Sequence, residues 1–361
     1  MSFSDYAGRK LHEVVFPGSH DAGVYGGGLD SKVATQKRDI YAQASAGVRW
    51  FDLRIATRST GLRAYHGPKL ISVSGGRQAV PLGDVGSDSL TDMLLQATKF
   101  VLQNSDEFLL LRFSKCGNMQ EVVEKCIAVL GPNNQNVLPG TIKNLNTATV
   151  GELKGKVYVL VDSKDYNKLP VALRQPSHGI MPTKGLFNSK KGKPHFPYSE
   201  NFPGVQYFGK YSNTNKVAKN LDKQTANLIA FQNPEEGNTA PEILGMMYWT
   251  LTSGVGKGRG LTDSIRSRNH KMWKHSSSEM QQAWRNIEQH IRSRGGDTIG
   301  RVSAGAAGDA EVGRQALKFK PNIVMIDFAD RTRCNTIWQL NNTGSMDAAD
   351  IGNGFRSARS N

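Results

Sequence analysis

The sequence predicts an α/β fold, a single-domain TIM-type (β/α) barrel, and three observations predict it. Eight short runs rich in β-branched and aromatic residues recur along the chain, helical patterns separate them, and 361 residues suffice for a barrel built as one domain. An open doubly wound sheet is the other arrangement that strand-then-helix order allows.

The runs, in order, are 11–16, 48–55, 62–66, 108–113, 156–162, 205–208, 246–251 and 323–328. Two helical stretches stand out. Residues 90–103 carry Leu90, Met93, Leu94, Ala97 and Val101 at spacings of three and four, and 120–130 carry Val122, Val123, Ile127 and Leu130 in the same way. From 165 to 239 the chain is poor in apolar periodicity and rich in Lys, Asn, Pro and Gly, which predicts long loops around one strand, rimming the active site. Further on, Ser276 and Glu279 form a capping box ahead of Met280, Trp284, Ile287 and Ile291, and Gly295-Gly296 closes that amphipathic helix. Residues 1–340 thus read as the barrel, and 341–361 as a small, polar, loosely ordered tail.

With 38% hydrophobic and 21% charged residues the chain can build a sizeable core, which excludes wholesale disorder. The longest apolar runs fall far short of the roughly 18 residues a membrane span requires. Cys116, Cys126 and Cys334 have no CxxC spacing and so suggest neither a disulfide framework nor a zinc site. The net charge of +15 attracts polyanions: nucleic acid, an anionic membrane surface or a phosphate-bearing substrate.

The first run leads into Pro17-Gly18-Ser19-His20-Asp21-Ala22-Gly23, a histidine and an aspartate on a glycine-flanked turn past a strand's C-terminal end, where barrels carry their chemistry. In the second run Phe51, Leu53 and Ile55 share one face, so Asp52 and Arg54 point together into the barrel mouth. Charges there are costly unless they pair or bind something charged, so the two either close the barrel as a structural ion pair or serve a ligand. The third run ends at His66-Gly67, a second histidine at a strand end. Two histidines flanking an arginine suit cleavage of a phosphodiester with a neighbouring hydroxyl. One imidazole removes the hydroxyl proton, the other protonates the leaving oxygen, and the cation neutralises the phosphate oxygens. His12, His178, His195, His270, His275 and His290 lack comparable surroundings and read as surface or core residues.

Residues 17–21, 47–54 and 66–67 resemble the X-domain of phosphatidylinositol-specific phospholipase C in its bacterial form. The likeness continues through 104–115, 151–156 with the strand that follows, 252–254 and 323–328. The resemblance implies a distorted TIM barrel in which His20 is the general base on the inositol 2-hydroxyl and His66 the general acid to the diacylglycerol oxygen. The first product would be an inositol 1,2-cyclic phosphate. It further implies that Asp327 orients His20, that Asp21 assists proton transfer near the leaving oxygen, that Asp52 helps to position Arg54, and that Lys115 supports the site. Eukaryotic members have an acidic calcium ligand where Arg54 stands, which implies a guanidinium in place of the metal; no metal and no cofactor are expected. Two departures bear on the head group. Where bacterial members carry an arginine against the ring, the strand end 159–162 offers Asp162, and an acidic ring contact falls on Gly209. Lys210-Tyr211 still matches the segment whose tyrosine stacks on the ring.

Other readings are weaker. Residues 257–294 hold nine Lys and Arg against Asp263, Glu279 and Glu288, with Trp273 and Trp284 interleaved, a pattern that suits an anionic bilayer, a nucleic-acid backbone or a solvated face. The lipase-like motifs favour the bilayer over nucleic acid, for which no DNA-docking module is visible, and a solvated face stays equally open. The glycine-rich run 254–260 fits neither nucleotide-loop spacing and reads as a βα loop near the phosphate. His270 and His275 lack the companions a zinc site needs. Another phosphodiesterase on the same scaffold, with a different head group, is the runner-up function. The expected partner is a phospholipid at a membrane surface, met by a monomer. Because most bacteria hold little phosphatidylinositol, secretion is expected over cytoplasmic work, although residues 1–6 show no secretory signal.

Overall fold

A computed structural model describes residues 3–25, 34–66, 70–73, 76–79, 88–186, 198–214, 216, 219–220, 222–224, 226–227, 242–250 and 321–341. In chain order the strands are β1 (Phe16–Ser19), β2 (Trp50–Leu53), β3 (Ile55–Arg58), β4 (Gly61–Ala64), β5 (Leu70–Val73), β6 (Gly76–Ala79), β7 (Leu109–Phe113), β8 (Val157–Asp162), β9 (Ile180–Gly185), β10 (Val205–Phe208), β11 (Leu244–Trp249) and β12 (Ile323–Ile326). Eight of them close a parallel barrel in the order β1, β12, β11, β10, β9, β8, β7, β2 and back to β1, while β3–β4 and β5–β6 are separate antiparallel pairs. The predicted α/β barrel is the fold, and the open sheet is excluded by closure between β1 and β2.

Three of the described helices cover the barrel, and two of them, Leu90–Gln103 and Met119–Leu130, lie where the apolar spacing said they would. The helix α1 (Ile40–Ala46) starts at Asp39, whose carboxylate accepts from the Ala42 amide, and stops at Gly47, whose φ of 117° few other residues tolerate. Helix α2 (Leu90–Gln103) opens on Ser89 with Asp92 completing a capping box, and buries Leu90, Met93, Leu94, Ala97 and Val101. In α3 (Met119–Leu130), Val122, Val123, Cys126 and Leu130 face inward. Each cap satisfies amides that the first turn leaves unbonded, worth about 1 kcal/mol.

Three expectations about strands need correction. Residues 11–16 are mostly a 3-10 turn at Leu11–Glu13, and the strand is Phe16–Ser19, the segment read as a turn because of its Pro-Gly-Ser. Gly18 is required there: a Cβ would lie 2.4 Å from the Met325 sulfur, with Ile323 at 3.0 Å. Residues 62–66 are not a barrel strand. They belong to the β3–β4 hairpin, which turns at Gly61 (φ 97°) and rises beyond the C-terminal end of β2. The eighth barrel strand is instead β9, inside the stretch read as loops around one strand. Pro182 masks it in the sequence, since proline usually demotes a strand.

Trp338, on the helix Arg331–Trp338, donates its indole N–H to the Gly47 carbonyl at 3.1 Å and stands edge-on to Phe3 at 4.5 Å. Buried Arg49 pairs with Glu107 at 2.7 Å. Asn341, placed in the polar tail by sequence, is fastened: its carboxamide both accepts from the Val15 amide and donates to the Val15 carbonyl, each at 2.7 Å. Residues 342–361, the predicted helix after Ser276, the basic segment 257–294 and the glycine-rich run 254–260 lie outside the described residues.

Candidate active site

The open end of the barrel gathers the predicted histidines, because register fixes them. Ser19 pairs with Ile326, so the next residues, His20 and Asp327, stand side by side. Nδ1 of His20 lies 2.9 Å from Asp327 Oδ1, both side chains being buried. The other ring nitrogen, Nε2, has no hydrogen-bond partner among the described residues; the nearest carboxylate oxygen, Asp21 Oδ2, is 3.7 Å away. A carboxylate on Nδ1 selects the tautomer whose Nε2 carries the lone pair, which is the form a base needs.

Asp21 is the hub. Its backbone is left-handed (φ 44°), which aspartate tolerates better than most residues, and this turns the carboxylate across the barrel mouth. One oxygen is 2.6 Å from Nδ1 of His66 and the other is in ion-pair contact with Arg54 Nε at 2.9 Å. The β3–β4 hairpin makes this possible: Tyr65 donates its amide to the Arg54 carbonyl, and His66 comes back over the strand ends next to Arg54. Each imidazole therefore has a carboxylate on Nδ1, and the Arg54 guanidinium is held on the same Asp21 that bonds His66.

The electrostatics follow from burial and neighbours. Burial alone would raise the Asp21 carboxyl pKa, but Arg54, His20 and His66 outweigh it and hold the group far below the usual carboxylate range. Burial disfavours the charged His20 ring, yet the Asp21 and Asp327 carboxylates overcome it and raise its pKa above the ordinary 6.5. The Arg54 guanidinium, with burial adding to it, pushes the Lys115 ammonium below its ordinary value. Two cations so close, one of them destabilised, leave room for an anion to relieve both.

The remaining predicted residues divide. Asp52 does not bond to Arg54: its carboxylate accepts from Arg112 Nη1 at 2.8 Å and from the Ser114 hydroxyl at 3.2 Å. Asp162 sits at the end of β8, caps the short helix Ser163–Tyr166, and is 3.6 Å from Arg112 Nη2. Tyr211 stacks on the His20 ring with centroids 5.2 Å apart and meets Tyr248 edge-on at 5.3 Å. Gly209 admits no side chain, since a Cβ would lie 2.2 Å from the Met246 carbonyl oxygen. His12 bonds through Nδ1 to the Asn146 carbonyl, a structural role. His195, His270, His275 and His290 are outside the described residues.

Sequence reasoning missed Arg112. It is 8% exposed, bonded to Asp52 and to the Tyr207 hydroxyl at 3.0 Å, with Nε lacking a hydrogen-bond partner among the described residues. A signal existed: an arginine in the otherwise apolar strand Leu109–Phe113 must face a polar interior. Among the described residues, no three His, Cys, Asp or Glu side chains group so as to hold a metal ion.

No family model matches the chain. Over 179 residues it is 24% identical to a 1-phosphatidylinositol phosphodiesterase of Listeria monocytogenes, a match covering 47% of this chain and 50% of that protein. The chain thus spans about half the length of the curated relative it matches. Among solved structures, it resembles the phosphatidylinositol-specific phospholipase C of Listeria monocytogenes with a TM-score of 0.50 at 18% identity, over 92% of this chain and 94% of that one. The phosphatidylinositol-specific phospholipase C of Staphylococcus aureus gives the same TM-score at 14% identity, over 94% and 95%. These structures share the barrel.

Proposed function

We propose that the protein is a phosphodiesterase of the phosphatidylinositol-specific phospholipase C type. What carries this reading is the pair of imidazoles, each bonded through Nδ1 to a carboxylate, with Arg54 held on Asp21 beside them. Similarity to the Listeria phosphodiesterase supports it.

In this reading His20 Nε2 takes the proton of the inositol 2-hydroxyl. That oxygen attacks phosphorus and closes a five-membered cyclic phosphodiester as the bond to the diacylglycerol oxygen breaks. His66 gives its proton to that oxygen, so diacylglycerol leaves neutral and one proton has passed from His66 to product while another rests on His20. Arg54 neutralises the phosphate oxygens, the task calcium performs in eukaryotic members, and Lys115 adds a second positive charge; no metal is required. Asp21 and Asp327 hold the rings and stabilise their charged forms. Tyr211 offers a face for the inositol ring, and Asp162 with Arg112 supplies acceptors and donors for its hydroxyls. The substrate is a lipid at a membrane surface, met outside the cell by a single domain comprising residues 1–340, acting as a monomer.

A related phosphodiesterase with another head group is the second reading, favoured by two observations: the arginine facing Asp162 comes from β7, and no side chain fits at residue 209. Release of diacylglycerol from vesicles of phosphatidylinositol, phosphatidylglycerol or phosphatidylcholine tests both. Release from phosphatidylinositol alone is expected; release from the other lipids only would support the second reading against the first.

The raised pKa of His20 gives a signed pH prediction. The base must be neutral, so kcat/KM rises with pH through a limb above 6.5. Stability runs the other way: the charged ring's favourable contacts contribute fully below 6.5 and are lost as pH climbs through the raised folded value. Asp327→Asn removes one of the two carboxylates, so the limb is expected to move to lower pH while kcat falls. An unchanged limb in the kcat/KM profile would assign it to another group.

A further inference from the structure

Thr35 and Gln36 lie outside the barrel strands yet bond to both strand ends that carry His20 and Asp327. The Gln36 carboxamide nitrogen donates to the His20 carbonyl at 2.9 Å and to the Ile326 carbonyl at 3.2 Å, and its oxygen accepts from the Ala329 amide at 2.9 Å. The Thr35 hydroxyl donates to the Asp21 carbonyl at 2.9 Å, while the Phe328 amide donates to the Thr35 carbonyl at 2.8 Å. Both residues are buried.

These bonds come where the sheet gives out. The β1–β12 ladder ends at Ser19 and Ile326, and beyond it Asp21 (φ 44°) and Phe328 (φ 51°) both take the left-handed conformation, costly for residues with a side chain. Such backbone stays put only where its surroundings hold it. A single carboxamide with all its donors and its acceptor committed to main-chain groups of both strands does that.

We propose that Gln36 is a positioning residue for proton transfer: with Thr35 it clasps the ends of β1 and β12 and keeps His20 Nδ1 within bonding distance of Asp327. The catalytic part rests on the function proposed above; the clasp does not.

Gln43 provides an internal comparison. Its carboxamide accepts from the Ser19 hydroxyl at 2.5 Å and donates to the carbonyls of Ala22 and Arg38, so it braces the same turn and, among the described residues, makes no bond to β12. His20 is faced by the Asp21 and Asp327 carboxylates, by Arg54, and by the rings of Tyr211 and Tyr248.

The test is an NMR titration of the His20 ring in the full chain, in wild type, Gln36→Met and Gln43→Met, methionine nearly matching glutamine in shape. Loosening the clasp lets Asp327 drift while burial persists, so Gln36→Met is expected to lower the His20 pKa by about one unit, and Gln43→Met to leave it in place. Turnover of phosphatidylinositol should fall about 10- to 100-fold in Gln36→Met, with KM within about twofold. A His20 titration unchanged in Gln36→Met, or shifted equally in Gln43→Met, overturns the proposal. Should Gln36→Met not fold, Thr35→Val decides: a smaller downward shift supports the clasp and an unmoved titration overturns it. A shift intact in a protein inactive on phosphatidylinositol defeats the function and leaves the clasp standing.

Discussion

His20→Ala is expected to lower kcat for cleavage of phosphatidylinositol by about 10²- to 10⁴-fold, the range for loss of a positioned general acid or base. His66→Ala should lose a comparable factor, because the leaving diacylglycerol oxygen is a poor leaving group without a proton. The two act on one transfer, so the double variant should be little worse than the poorer single one. Multiplicative losses would mean that the imidazoles work in separate steps. His20→Ala removes a buried ring from the buried Asp327 carboxylate and so should also lose stability, while His66→Ala, at the more exposed ring, should lose less. Chemical denaturation run beside the kinetics checks that the losses are catalytic.

Asp21→Ala is expected to cost most in stability. The residue is 1% exposed and contacts Arg54 and His66 directly, with His20 close by. Removing one partner of a buried ion pair costs about 3–5 kcal/mol, since the guanidinium left behind stays out of water. Because the Asp21 pKa is depressed, its contribution is present above the unfolded value of 3.8 and is lost as pH falls. Wild type should therefore lose stability on acidification below that value more steeply than Asp21→Ala does, as read by urea unfolding at several pH values. Equal acid sensitivity in the two proteins would mean that Asp21 is not charged in the folded state. Activity should vanish with the stability, as both imidazoles lose a neighbour.

Helices α2 and α3 and most barrel strands were legible in the sequence because their burial is one-sided or complete. Helix α2 matches the predicted 90–103 with its apolar stripe inward, and β10 matches 205–208. Elements were lost where local chemistry pointed the other way. Pro17-Gly18-Ser19 reads as a turn, yet tight packing against Met325 is what makes glycine fit there in a strand. Pro182 hid β9. The pattern of residues 62–66 reports a strand but not its partner, so a hairpin on the barrel rim passed for a barrel stave.

The site divides in the same way. His20, Asp21, Arg54, His66 and Asp327 lie at or near strand ends, where motif and position coincide, and they come together. Asp52 bonds to Arg112 on the neighbouring strand and acts on Arg54 only through its charge, for a sequence shows which face a carboxylate takes but not which cation reaches it. Gln36 carried no signal at all. Its function is to bond main-chain groups far apart in sequence, and no spacing rule records that.

The most direct test is phosphorus NMR of the products formed from phosphatidylinositol vesicles in excess chelator. The proposed chemistry predicts that a cyclic phosphodiester appears first, without added metal, and is absent with His20→Ala and His66→Ala. A phosphomonoester as the first product, or no turnover until calcium is restored, would contradict it.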